Sequence, residues 1–211
     1  MRMEGTTVTD RAVIALRGRR LEYFTIVWNA LEGLVALIAG TIAGSISLVG
    51  FGVDSFIEVT SGAALLWRMS VDANALTRER NEKVALRIVG ICFLALAAYI
   101  ACDSISDLVL KHAPDRSVPG IALASVSLIV MPLLSRAKNT VGNALGSAAM
   151  NADARQTEFC AYLSVILLIG LLLNAIWGLW WADPLAAALM APIIGKEGIE
   201  RLQTRRCGNC H

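Results

Sequence analysis

Apolar residues gather into six blocks, at about residues 23–43, 46–67, 84–108, 118–134, 150–173 and 178–196, with short polar or turn-forming stretches between them. A helix rising about 1.5 Å per residue needs roughly 20 apolar residues to cross a hydrocarbon core about 30 Å thick. The pattern therefore predicts an all-α membrane protein of six transmembrane helices. Residues 41–45 make a tight turn between the first two blocks, and Pro114 and Pro119 mark another between the third and fourth. The fifth block is the one whose start matters. Residues 159–196 number 38 and must hold two spans and a turn if span five begins at its first purely apolar residue. Two helices of roughly 20 residues leave no room for the turn. Span five is therefore expected to begin near residue 150, and the following turn to lie near residues 174–180, among tryptophans suited to a membrane interface.

Composition agrees: 56% of the 211 residues are hydrophobic and 17% charged, well short of the roughly 25% charge of soluble domains. Where the basic residues fall adds a direction. Of 19 Lys and Arg, all but Lys111 and Arg116 flank the two ends of the chain, the connection after span two, or the connection after span four. That bias predicts both termini on the cytoplasmic side and an even number of spans. The first block is too long, and its basic leader too extended, for a signal peptide. The chain reads as a basic N-terminal segment (1–20), one six-helix membrane domain (21–198) and a short cytoplasmic tail (199–211). The bacterial cytoplasmic membrane is the expected location and the lipid bilayer the first partner. A net charge of +2 gives no basis for a nucleic-acid partner. Cys92, Cys102 and Cys160 fall within spans, so no external disulfide framework is expected.

Span two carries two carboxylates, Asp54 and Glu58. Four residues apart, they share one helix face, with roughly 6 Å between Cβ atoms. One charge at mid-membrane costs roughly 2.5–3.5 kcal/mol even on lenient scales, and two like charges cost more unless a cation or protons neutralise them. No Lys or Arg is expected within the core of any span, which leaves a bound cation as the favoured neutraliser over a salt bridge. Asn29 and Glu32 add polar groups to span one, Glu32 as a candidate proton carrier or accessory ligand. Asp103 and Asp107 form another pair four apart, read as an external acid pair, and Asp183 before Pro184 reads as a helix cap. No nucleophile stands with a base, and the chain has only two histidines, so an enzyme is not expected.

Two stretches resemble the cation diffusion facilitator (cation efflux) family. The first is Gly44-Ser45-Ile46-Ser47-Leu48 followed by Asp54-Ser55-Phe56-Ile57-Glu58. The second is Ala152-Asp153-Ala154-Arg155-Gln156-Thr157 with Trp181-Ala182-Asp183-Pro184-Leu185. The resemblance covers about residues 20–200. It implies a dimeric exporter of zinc or a related divalent metal, driven by proton antiport, with no cofactor beyond the transported ion. It also implies metal ligands at Asp54 and Glu58 and at Gln156 and Cys160, where the family usually has His-x-x-x-Asp. Asp153 joins Glu32 as a candidate proton carrier or accessory ligand. A thiolate suits zinc or cadmium and an amide oxygen is a weak ligand, so zinc is the first choice, with iron or manganese preferring an all-oxygen set. Only about 15 residues follow span six, where many members carry a cytoplasmic metal-binding domain, so the chain reads as a short member held as a homodimer by its spans.

The end of the chain, Cys207-Gly208-Asn209-Cys210-His211, matches the c-type haem attachment pattern. Haem is attached outside the cytoplasm and this tail is expected inside, so capture of a soft metal by Cys207, Cys210 and His211 is the better reading. Two other classes compete with transport: a metal-binding membrane subunit that regulates a partner, and a small redox protein using that tail. The orientation has a direct check. With the native cysteines replaced, His112→Cys should react with a membrane-impermeant maleimide in intact cells. Asn74→Cys should react only after permeabilisation.

Overall fold

The computed structural model describes residues 8–70 and 75–203. Six helices follow one another: α1 Val8–Ala43, α2 Ile46–Ser70, α3 Ala75–Leu110, α4 Val118–Leu145, α5 Ala148–Trp177 and α6 Ala182–Gln203. Among the described residues there is no strand. The first five helices are long and apolar enough to cross a membrane. The sixth carries Lys196, Glu197 and Glu200 in its last third, which lowers its hydropathy.

The helix ends follow from local chemistry. Span five does begin early, at Ala148, with the Ser147 hydroxyl accepting from the Met150 N–H as an N-cap. Immediately before it, Gly146 sits at φ 63°, a conformation that an L side chain resists, and its N–H reaches back to the Asn143 carbonyl. These two residues make the whole connection between α4 and α5. α4 consequently runs to Leu145, eleven residues beyond the expected end of its apolar block at 134. Residues 8–20 lie in the same unbroken helix as span one.

Packing inverts the arrangement of a soluble protein. Ile42, Val109, Val118 and Trp177 are each at least 65% exposed, whereas Glu22, Asn29, Glu32, Asp54, Glu58, Lys138, Asp153 and Gln156 are buried. An apolar outside around a polar inside is stable when lipid is the solvent. α1 packs on α2 and α4 on α5, while α3 packs chiefly on α6; α2 lies centrally, touching α1, α3, α5 and α6. Phe51, Leu48, Phe93, Ile100, Leu163, Leu167, Met190 and Ile194 belong to one apolar core. Lipid tails are as apolar as leucine, so close backbone approach and interhelical hydrogen bonds must supply the association. Ser135 on α4 donates to the Ala154 carbonyl on α5 at 2.8 Å, and Ser164 donates to Ser127 at 3.2 Å.

Gly40 shows how tight the α1–α2 contact is: a Cβ there would lie 2.9 Å from the Val49 backbone nitrogen and 2.8 Å from its Cγ2. Backbone cannot swing away. Gly40→Val should destabilise the folded protein by about 1–3 kcal/mol, the range for overpacking. Gly195 offers the contrast, since an added Cβ would meet only the Ala97 Cβ at 3.5 Å. Gly195→Ala should be neutral or stabilising by up to about 1 kcal/mol through helix propensity. Thermal unfolding in detergent separates the two.

Candidate functional site

α1, α2, α4 and α5 send most of the buried polar side chains into the bundle. On α1, Glu22, Thr25, Asn29 and Glu32 are buried at spacings of three and four, a single polar stripe. On α2, Asp54 and Glu58 stand one turn apart. On α5, Asp153, Gln156, Thr157, Cys160 and Ser164 form a corresponding stripe. α4 adds Ser127 and Lys138.

Cys160 joins the two span-two acids: its Sγ lies 3.2 Å from Asp54 Oδ2 and 2.8 Å from Glu58 Oε2. A thiol has one proton, so it serves one acceptor at a time. Thr157 donates to the other Glu58 oxygen, Oε1, at 2.7 Å. Glu32 stands beside this group, accepting from Ser55 at 3.2 Å, with Ser55 next in the chain to Asp54. Several buried polar atoms have no hydrogen-bond partner: Asp54 Oδ1, Glu32 Oε1, and both amide atoms of Asn29 and of Gln156. Buried donors and acceptors are rarely left unmade, so these atoms are free to take a polar or charged partner. Among the described residues, no three His, Cys, Asp or Glu side chains are disposed to hold a metal ion as they stand. The thiol itself occupies the space between the carboxylates, so a cation entering there must displace its proton and spread the oxygens.

The structure thus brings Asp54, Glu58 and Cys160 into direct contact and sets Glu32 against them through Ser55. Gln156, one turn from Cys160 on α5, is buried and touches none of them by a hydrogen bond. Asp153 stands apart, with Lys138. Here an expectation is corrected. A base does lie inside a span: the Lys138 side chain is 0% exposed, it bonds Asp153 Oδ2 closely, lies 3.4 Å from Glu22 Oε2, and donates to Thr157 at 3.2 Å. Lys138 reads as flanking charge once α4 is ended at residue 134. The signal that places it inside is the spacing of buried positions, Met131, Leu134, Ser135, Lys138, Val141 and Gly142, which continues unbroken past it. Glu22 is missed for the same reason, although it begins the polar stripe of α1.

At the other end of the bundle, the Asp183 carboxylate accepts from Ser45 at 2.7 Å and from Ser47 in a close bond, tying α6 to the α1–α2 turn. The sequence pattern expects Asp183 as the cap of α6; it lies instead within the first turn, its carboxylate engaged in this tie. Ser45 also lines a cavity of about 400 Å³ together with Tyr99, Asp103, Asp107 and His112, where His112 Nδ1 lies 3.1 Å from Asp107 Oδ1. Cys207, Cys210 and His211 lie outside the described residues.

The chain matches the model of the cation efflux transmembrane domain over residues 23–204, a stretch that holds all of these side chains except Glu22. It is 26% identical over 182 residues to an uncharacterized transporter of Methanocaldococcus jannaschii, covering 83% of this chain and 64% of that one. It is 27% identical over 187 residues to transmembrane protein 163 of Xenopus laevis, with 86% and 65% covered. With magnetosome protein MamB of Paramagnetospirillum magneticum the identity is 25% over 191 residues, with 85% and 64% covered. The chain spans a little under two thirds of the length of each of these relatives. Such a match along nearly the whole helical bundle makes this chain a member of the cation efflux family.

Proposed function

We propose that the protein moves a divalent metal cation across the membrane, with Asp54, Glu58, Cys160 and Gln156 as its ligands and zinc as the preferred ion. The observation that carries this reading is the meeting of Cys160 with both Asp54 and Glu58 inside an apolar bundle. Two carboxylates balance a divalent charge, and a thiolate with carboxylates makes a donor set suited to tetrahedral zinc. The unpartnered amide of Gln156 is the fourth candidate donor. Membership of a cation efflux family supports a transport role, as does the word "transporter" in the name of the archaeal relative.

Metal ligands must be deprotonated, so loading the site releases the Cys160 proton and any proton held by the carboxylates. External protons reverse the exchange. This is proton-coupled antiport, with the helices alternating between two openings. Gln156 carries no proton, and Glu32, held by Ser55 beside the acids, is the further proton carrier or accessory ligand. Asp153, engaged by Lys138, is a less apt proton carrier than its sequence position implies. The working form in this reading is a homodimer in a cytoplasmic membrane, with the cysteine-rich tail gathering metal on the inner side.

Zinc flux into proteoliposomes under an imposed pH gradient tests this. Gradient-dependent flux should fall to background in Asp54→Asn while the protein still elutes as a folded species. Cys160→Ser should lower cadmium flux by about tenfold more than manganese flux, since loss of the sulfur penalises the softer ion. Zinc binding without flux in the native protein would assign it instead to a metal-binding subunit that regulates a partner.

A further inference from the structure

Lys138 is a buried cation two hydrogen bonds from Glu58, and nothing in the proposed exchange uses it. An ammonium has three donors and no acceptor. Here two are directed to Asp153 and to the Thr157 hydroxyl oxygen, and Glu22 Oε2 lies 3.4 Å away as an ion-pair partner. Thr157 has one hydrogen to give and two acceptors in reach, Glu58 Oε1 at 2.7 Å and the Asp153 carbonyl at 3.3 Å. With an N–H of Lys138 entering the hydroxyl oxygen, its hydrogen goes to the nearer acceptor, Glu58 Oε1. Glu58 is then held on Oε1, and its other oxygen, Oε2, is turned to Cys160 at 2.8 Å.

We propose that Lys138 is a positioning residue of the cargo site, acting through Thr157 to fix the orientation in which Glu58 meets the metal. This rests on reading Glu58 as a cargo ligand. The flanking acids explain how a cation can sit so close without repelling another. Asp153 from α5 and Glu22 from α1 stand against the ammonium and offset its charge, so the group presents no net positive charge to a divalent ion. A buried ammonium without such partners would be strongly destabilising. Outer partners that orient a metal ligand typically change affinity by about 10–100-fold when removed.

The test is zinc binding by calorimetry to the purified full chain with the tail ligands replaced (Cys207→Ser, Cys210→Ser, His211→Ala), this background standing as native and carrying a set of further variants. Thr157→Val should weaken zinc binding about tenfold or more, while Thr157→Ser, which keeps the hydroxyl, should bind as the native protein does. Lys138→Met should weaken it to a similar extent, and the Lys138→Met/Thr157→Val double variant no further than either alone, because both remove one path. Lys138→Arg should recover part of the loss. If Lys138→Met does not fold, the Thr157 pair decides. Native-like affinity in Thr157→Val, with binding lost in Glu58→Gln, overturns the role of Lys138 and leaves the site intact. Zinc binding that is absent in native protein, or indifferent to Glu58→Gln, overturns the reading of the site and the inference with it.

Discussion

Every ionisable side chain inside this bundle has to find its counterpart there, since neither lipid nor the apolar core can solvate it. That single requirement organises the molecule. The side chains that would be most costly in hydrocarbon, Glu22, Glu32, Asp54, Glu58, Lys138, Asp153 and Asp183, are all buried, and six of the seven meet another polar side chain within hydrogen-bond or ion-pair reach. The remaining one, Asp54, meets a thiol, Cys160. The matching is incomplete throughout: one oxygen each of Glu32, Asp54, Asp153 and Asp183, and both of Glu22, lack a hydrogen-bond partner.

The matched charges also divide the bundle along its length. Toward the end where α1 and α5 begin, Lys138 draws α1, α4 and α5 together through Glu22, Asp153 and Thr157. Toward the opposite end, Asp183 draws α6 onto the α1–α2 turn through Ser45 and Ser47. The cluster of Asp54, Glu58 and Cys160 lies between these two ties.

Much of this was legible in the sequence, and the part that was not has a physical reason. The lengths of apolar blocks gave six helices, and the impossibility of fitting two spans and a turn into residues 159–196 gave the early start of α5, observed at Ala148. Spacing of four placed Asp54 with Glu58, and resemblance to the family pointed to Cys160 opposite them. Lys138 and Glu22 escaped because hydropathy treats a charged residue near the end of an apolar block as its boundary. Whether such a residue faces water or a partner depends on which helix stands opposite, and α4 meets both α1 and α5 only through packing that sequence spacing does not encode. The Asp183–Ser47 tie was missed for the same reason: 136 residues separate its ends.

One contact far from these charges bears on how the molecule can move. Gly90 on α3 and Gly198 on α6 face each other so closely that a Cβ on either would lie 3.0 Å from the carbonyl oxygen of the other. Two backbones in such contact have no intervening side chains whose rotamers could absorb a sliding motion. α3 and α6 are therefore joined backbone to backbone, and Asp183 joins α6 in turn to Ser45 and Ser47. None of the side chains that converge on Cys160 comes from either helix, so a disturbance of this contact reaches those donors chiefly through α2 and α5.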